Sequence, residues 1–431
     1  MSATLTLQDE AVGLLQQLLR LNTVNPPGNE TLAAECLRDY LAANGVESQL
    51  LARTPERANL VARLPGGDGP SLCFLCHTDT VVADAADWEH DPWSGELVGD
   101  EVWGRGALDM KNQVAASAVA FASLAREGFR PAGDLVFVAA ADEEVGKSFG
   151  LQWLCEEHPE AVRTDYVLNE GGGERVLLGG KPFYLCASAE KMTAPFRLRV
   201  RGRAGHASVP GIADNALVKA ARLIEALAVY RPEPEIGPEV AGFLAAVLGE
   251  EPPPEQVLER LRAFDPFAAE LIEPLLSFTL SPTMISASSA RNVVPGICDV
   301  TVDCRILAGR SPADVEPIVR TILGEGDYEL EWLENWGGTR SSLDTPLLRA
   351  LEAWVAETEP EATLAPICCP GFTDSHWPRE AFGTVAYGFF PMKTMDAHLA
   401  NRLIHSANER VHVDDLVLGV ELLRYAARAL T

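Results

Sequence analysis

No run of apolar residues in this 431-residue chain reaches the roughly 18 that a membrane-spanning helix needs. Positive charge is scarce too: 35 Lys and Arg stand against 62 Asp and Glu, and the formal charge of −27 would repel nucleic-acid phosphates. The opening MSATLTLQDEAVGLLQQLLRL has neither a basic stretch nor a small-residue cleavage site, so it reads as an amphipathic helix. The nine cysteines are odd in number and irregularly spaced. Cys73, Cys76, Cys298 and Cys304 fall inside apolar strand patterns, as reduced core residues do, and form no disulfide framework. No internal repeat or low-complexity tract is evident. These absences imply a soluble cytoplasmic protein whose partner is neither nucleic acid nor membrane.

The sequence does have enough apolar residues, 47%, to fill more than one core, and its length exceeds what one ordinary core supports. From about residue 6 to Ala189, helical and strand patterns alternate as in a helix-covered mixed sheet. The style then changes. FRLRVRG, Phe196 to Gly202, alternates apolar and basic residues like a strand exposed on one face, and Asp214 to Val229 reads as helix. Residues 231–281 are rich in proline and acid and read as a helical insertion. TMISAS, ICDVTVDCRI and YELEWL are strands, and SPADVEPIVRTIL is a helix capped by Ser311. The order β-α-β-β-α-β is a split-βαβ pattern. The expected organisation is therefore an α/β domain with a mixed, helix-covered central sheet, in two parts (1–193 and 336–431), interrupted by an inserted α+β domain (194–335).

Candidate donors cluster at the ends of apolar runs. SLCFLC ends on His77, DLVFVAAA runs into Asp142, Glu143 and Glu144, DYVLN ends on Glu170, and Asp109 closes WGRGALD ahead of a helical segment. Open parallel sheets place ligands at the carboxyl ends of their strands, and imidazole with carboxylate suits zinc or a similar divalent ion. Extended geometry puts His77 and Asp79 on one side, so the carboxylate can orient the ring; the blander reading is a capped strand end. Asp109 alone would pass as a helix N-cap. Glu143 and Glu144 are harder to explain structurally, because adjacent carboxylates after a buried run repel unless a cation or a shared proton compensates. On an extended chain one would bind metal while the other faced a water as general base. Glu170 precedes Gly171, Gly172 and Gly173, where a ligand can come close to bare backbone.

HTDTV, GRGALDMKN, DEEVG, NEGGG, GHAS, RNVVPG, GFTDSH and IHSANE together resemble, in order and over nearly the whole chain, the dinuclear zinc exopeptidases and deacylases. That family includes aminoacylase, acetylornithine deacetylase, succinyl-diaminopimelate desuccinylase, glutamate carboxypeptidase and carnosinase-like dipeptidases. The resemblance implies two divalent metal ions per chain, Zn2+ with Co2+ or Mn2+ as substitutes. Asp109 would bridge them, His77 and Glu170 would complete one site, and Glu144 and His405 the other. It implies Glu143 as general base to a metal-activated bridging water and Asp79 as the residue orienting His77. His398 and His412 compete with His405, which the motif IHSANE favours.

By the same resemblance the inserted domain is a lid and dimerisation domain. His206 would reach into a partner subunit of a homodimer and stabilise the oxyanion. Asn292 and Arg305 would hold the substrate's carbonyl or carboxylate, and Gly371, Thr373 and Asp374 fall in a substrate-facing loop, whereas His376 has no such match. The implied substrate is a small molecule, an N-acyl amino acid or short peptide with a free carboxylate, with dipeptidase or carboxypeptidase action as the variant. A non-catalytic protein of the same fold, or a cysteine hydrolase using Cys76 or Cys369, are the other classes.

Overall fold

Four parallel strands form the middle of the larger sheet: Leu135–Ala140, Leu72–His77, Tyr166–Asn169 and Val385–Gly388 lie side by side in that order. The computed structural model describes residues 6–146 and 149–431, so the first five residues of the expected amino-terminal helix lie outside the described residues. Among the described residues the sheet has nine strands, with Arg175–Leu178 paired to Lys181–Glu190. Ser48–Ala52 and Ala58–Leu64 extend it antiparallel on one side, and Lys181–Glu190 and Thr363–Cys369 continue it on the other.

Every residue of Leu72–His77 and Leu135–Ala140 is buried, which is why these strands read as unbroken apolar runs. The helix Lys111–Arg126 is buried from Lys111 to Leu124, and its many alanines let it lie close in the packing. Phe74, Phe121 and Phe137 are fully buried, each contributing roughly 2–3 kcal/mol of apolar burial. Leu7–Leu19 starts at Thr6, whose hydroxyl accepts the Asp9 N–H at 3.1 Å while Asp9 accepts the Thr6 N–H at 3.1 Å, a capping box.

The chain divides into two compact units, one holding Ala189–Arg340 with Cys368–Phe372 and the other the rest of the described residues. In the first of these, Ile297–Ile306 pairs antiparallel with both Thr279–Ser286 and Phe196–Arg201, and Phe196–Arg201 pairs with Tyr328–Trp332. With helices Ala216–Val229 and Pro312–Leu323 the chain order is the split-βαβ order. Alternation along Ile297–Ile306 is as read, with Val300, Val302 and Cys304 buried. The first helix starts at Ala216 and not at Asp214, because Asn215 caps it by accepting the Leu217 N–H at 3.0 Å. Residues 231–278 contribute helices Pro238–Leu248, Val257–Phe264 and Pro266–Ile272, and the next strand starts at Thr279, with Pro282 beside a register shift.

Candidate metal centre

The parallel strands deliver their donors to one place. His77 is the last residue of its strand, Glu170 follows Asn169 directly, and Glu143 and Glu144 follow the strand Leu135–Ala140. The adjacent glutamates do not lie on an extended chain as the sequence suggested. Asp142 takes a left-handed conformation (φ 66°), and the two glutamates occupy the turn after it. The reversal sends the pair apart: Glu144 Oε2 lies 3.2 Å from His405 Nε2, while Glu143 Oε2 lies 4.0 Å from His77 Nε2.

Asp109 stands between the two imidazoles. Its Oδ1 is 3.1 Å from His77 Nε2 and its Oδ2 is 3.0 Å from His405 Nε2. Glu170 Oε2 is 3.6 Å from His77 Nε2, and Asp79 Oδ1 is 3.4 Å from His77 Nδ1. Among the described residues two triads of donors converge, His77 with Asp109 and Glu144, and His77 with Glu143 and Glu170.

An ion bound at about 2.1 Å in tetrahedral geometry holds its donors roughly 3.4 Å apart, and the spacings within the site bracket that value. The electrostatics point the same way. Burial raises the Glu143 carboxyl well above its usual range, with the Glu170 charge adding to the shift. Burial also raises Glu144 against the hydrogen bond from His405, raises Glu170 against the His77 charge, and raises Asp374 well above the carboxylate range. Hydrogen bonds to Asp109 and Glu144 lift His405 to about 10. Burial opposes the charge on His77, yet Glu170, Asp109 and Asp79 raise its pKa well above the ordinary value. Among the described residues, Glu144 Oε1 and Asp374 Oδ2 are buried and find no hydrogen-bond partner. Such a surplus of buried carboxylates, partly unpaired, fits divalent cations.

Several supports were not foreseen in the sequence. Glu409, fully buried, accepts the N–H groups of Gly106 (3.0 Å), Leu108 (2.7 Å) and Asp109 (3.0 Å) and pairs with Arg105. Its place in IHSANE was the one signal that could have found it. Lys111, also buried, donates to the carbonyls of Leu18 (3.0 Å) and Leu21 (2.8 Å), tying down the helix that follows Asp109. Two of the glycines after Glu170 face backbone, where the sequence suggested a ligand: a Cβ on Gly172 would come within 2.7 Å of the Gly388 carbonyl oxygen and one on Gly173 within 1.9 Å of the Phe390 carbonyl oxygen.

The remaining candidates divide between the two units. Thr373 and Asp374 are buried in the loop before helix His376–Phe382, where Thr373 Oγ1 accepts the Ser375 N–H at 3.3 Å. His376 is buried against Trp377. His412 caps the last helix by accepting the Asp414 N–H at 3.1 Å, and His398 lies on helix Ala397–Leu403, so His405 is the late histidine brought to Asp109. Gly371 belongs to the other unit, as do His206, Asn292 and Arg305. His206 is exposed on a two-residue strand; Ser208 N–H donates to its Nδ1 at 3.2 Å, which leaves the ring proton on Nε2. The Asn292 carbonyl accepts the Ala207 N–H at 3.0 Å. Arg305 is engaged by Asp303 (3.0 Å) and Thr193 (2.6 Å).

Imidazole and carboxylate donors gathered beside the carboxyl ends of parallel strands make a candidate metal centre. The chain matches the model of peptidase family M20/M25/M40 over residues 73–429 and belongs to that family. It is 29% identical over 379 residues to a succinyl-diaminopimelate desuccinylase of Magnetococcus marinus, covering 85% of this chain and 84% of that one. Its identity to aminoacylase-1 of Sus scrofa is 26% over 441 residues, 97% and 95% of the two chains. A crystal structure of an M20 family metallo-carboxypeptidase from Sulfolobus solfataricus superposes with a TM-score of 0.73 at 17% identity, over 98% and 99% of the chains. The chain is thus a metal-dependent hydrolase of carbon–nitrogen amide bonds. No helix among the described residues is long and apolar enough to cross a membrane.

Proposed function

We propose that this enzyme cleaves the amide bond of an N-acyl amino acid, or of a small peptide with a free carboxylate, using two divalent ions. The observation that carries the reading is the Asp109 carboxylate, which turns one oxygen to His77 and the other to His405. His77 and Glu170 would hold one ion, Glu144 and His405 the other, with Asp109 common to both. Zinc suits the nitrogen and oxygen donors, and cobalt or manganese would be accepted. Bound there, the ions would polarise the scissile carbonyl and acidify the attacking water.

The protein's own groups then move the proton. Glu143 also falls in one donor triad, with His77 and Glu170; with Asp109 taking that place it would be left free to face the water, and burial makes its carboxylate a stronger base. It would take the proton of the attacking water and pass it to the leaving amine. His206, with its proton on Nε2, would donate to the oxyanion. Asn292, Arg305, Gly371 and Thr373 would hold the substrate's polar groups, and Asp79 would keep the His77 ring in place. In this reading the unit around Ala189–Arg340 is an inserted lid.

A homodimer through that lid is supported by the strand Thr279–Ser286, which pairs only with Ile297–Ile306 among the described residues and exposes Met284 and Ile285. A cytoplasmic setting is supported by nine free cysteines, seven of them buried. A cysteine mechanism is disfavoured because burial pushes the Cys76 thiol up to about 12. The test is turnover of a panel of N-acetyl, N-succinyl and long-chain N-acyl amino acids and dipeptides, before and after chelation and after thiol alkylation. Loss on chelation with survival of alkylation is expected. The reverse pattern would refute the metal reading.

A further inference from the structure

Behind the site lies a layer of buried charge with no part in the chemistry above. Arg57, 7% exposed, precedes the strand Ala58–Leu64. Its Nε donates to Glu30 Oε2 at 2.6 Å, and its Nη2 donates to Glu30 Oε1 at 2.7 Å and to Asp142 Oδ1 at 2.9 Å. The guanidinium lies over the Phe149 ring at 4.8 Å, and a Cβ on Gly28 would approach its Nε to 2.3 Å, so the group is closed in on several sides. Asn25, 5% exposed, donates its amide hydrogens to Asp79 Oδ2 (2.9 Å) and Asp142 Oδ1 (3.0 Å).

These bonds converge on the turn that aims the two glutamates. The left-handed conformation of Asp142 is disfavoured for a residue with a Cβ, so the surroundings must hold it. They do so through Arg57 and Asn25 at Oδ1 and the Phe149 N–H, 3.1 Å away, at Oδ2. On the other side of the turn, Asp79 accepts the N–H groups of Glu143 (3.2 Å) and Glu144 (3.1 Å). Asn25 therefore bridges the carboxylate that begins the turn and the carboxylate that anchors its far end. A tie between helix Thr31–Ala43 and the sheet would be complete with the Arg57–Glu30 fork alone. The additional bonds go to the turn.

We infer that Arg57 and Asn25 are positioning residues that fix the aim of the Glu143 carboxylate by holding the turn at Asp142. The inference rests on the reading of Glu143 as the base. A lysine at 57 keeps the charge but cannot grip Glu30 in a fork while also reaching Asp142. A leucine at 25 keeps the shape of asparagine and donates nothing.

The test compares Arg57→Lys and Asn25→Leu with Glu143→Gln, measuring kcat, KM and metal equivalents per chain on an N-acyl amino acid. The two positioning variants should keep both metal equivalents and a KM within about twofold, while kcat falls about 10–100-fold. A purely structural role would leave the kcat of the folded fraction unchanged, and that result in either folded variant overturns the inference. Metal loss that accounts for the fall in kcat overturns it as well, since the residues would then serve the ligands. Should Arg57→Lys fail to fold, Asn25→Leu decides by the same criteria. An active Glu143→Gln refutes the base reading itself, whereas an inactive Glu143→Gln beside fully active positioning variants refutes only this inference.

Discussion

Glu409 accepts the backbone N–H of Asp109 at 3.0 Å, so a carboxylate 300 positions further along the chain fixes the residue proposed to bridge two metals. The same carboxylate fixes Leu108 and Gly106. Its partners are backbone donors that cannot move away. In Glu409→Gln an amide group must face at least one of them, and breaking a buried charged pair with Arg105 costs about 3–5 kcal/mol. Support of a ligand from behind is typically worth about 10–100-fold in metal affinity. We predict a lower melting temperature together with a metal affinity weakened by that factor, measured against a chelating dye. Unchanged affinity would make Glu409 a structural tie only.

The bridge itself predicts unequal metal losses. Asp109→Ala should lower occupancy at both sites, while His405→Ala should empty mainly one, as read by elemental analysis. Full metal content in the His405 variant would remove it from the ligand set and return attention to His398 or His412.

If His206 acts across a dimer, two inactive variants should complement each other. Mixing His206→Ala with Glu143→Ala chains and allowing subunit exchange would assemble sites with Glu143 from one chain and His206 from its partner. Partial recovery of activity is expected. A monomer by sedimentation, with no recovery, would exclude the cross-subunit role and leave the metal chemistry untouched.

The core beside the strand Met192–Thr193 carries a pH signature. Burial pushes Lys191 down to about 8 from 10.5, and its ammonium donates to the carbonyls of Pro274 and Ser277, both at 2.8 Å. A base with a depressed folded pKa binds fewer protons when folded between those two values, so stability rises with pH there. The contribution is fully present above 10.5 and is lost as the pH falls through 8. Relative to Lys191→Met, the wild-type melting temperature should therefore rise between pH 8 and 10. A difference independent of pH would contradict the shift.

Much of this was legible in the chain. His77, Glu143, Glu144 and Glu170 announce themselves because each follows an apolar run buried on both faces, and a short run of that kind marks an interior strand of a parallel sheet. Asp109 is a candidate from its place ahead of a helix, though its bridging role depends on motif resemblance, as does His405 altogether, which sits in a left-handed conformation (φ 60°) that no local pattern signals. Arg57, Glu30 and Asn25 gave no sign at all. Their partners lie far along the chain, and an arginine before a strand looks like any surface arginine until the fold buries it. The strand Thr363–Cys369 escaped notice because Pro366 argues against a strand, yet it is the end strand of the larger sheet, where proline is tolerated. The turn at Asp142 escaped for a related reason: left-handed geometry is expected of glycine, and here side-chain bonds hold an aspartate in it.

The central claim is the division of labour between the adjacent glutamates, and Glu143→Ala tests it most directly. With metal content and turnover measured on the same preparation, the account predicts two equivalents per chain and a loss of kcat of about 10²–10⁴-fold, the usual contribution of a positioned general base. Loss of a metal equivalent in that variant would contradict the account and exchange the roles of Glu143 and Glu144.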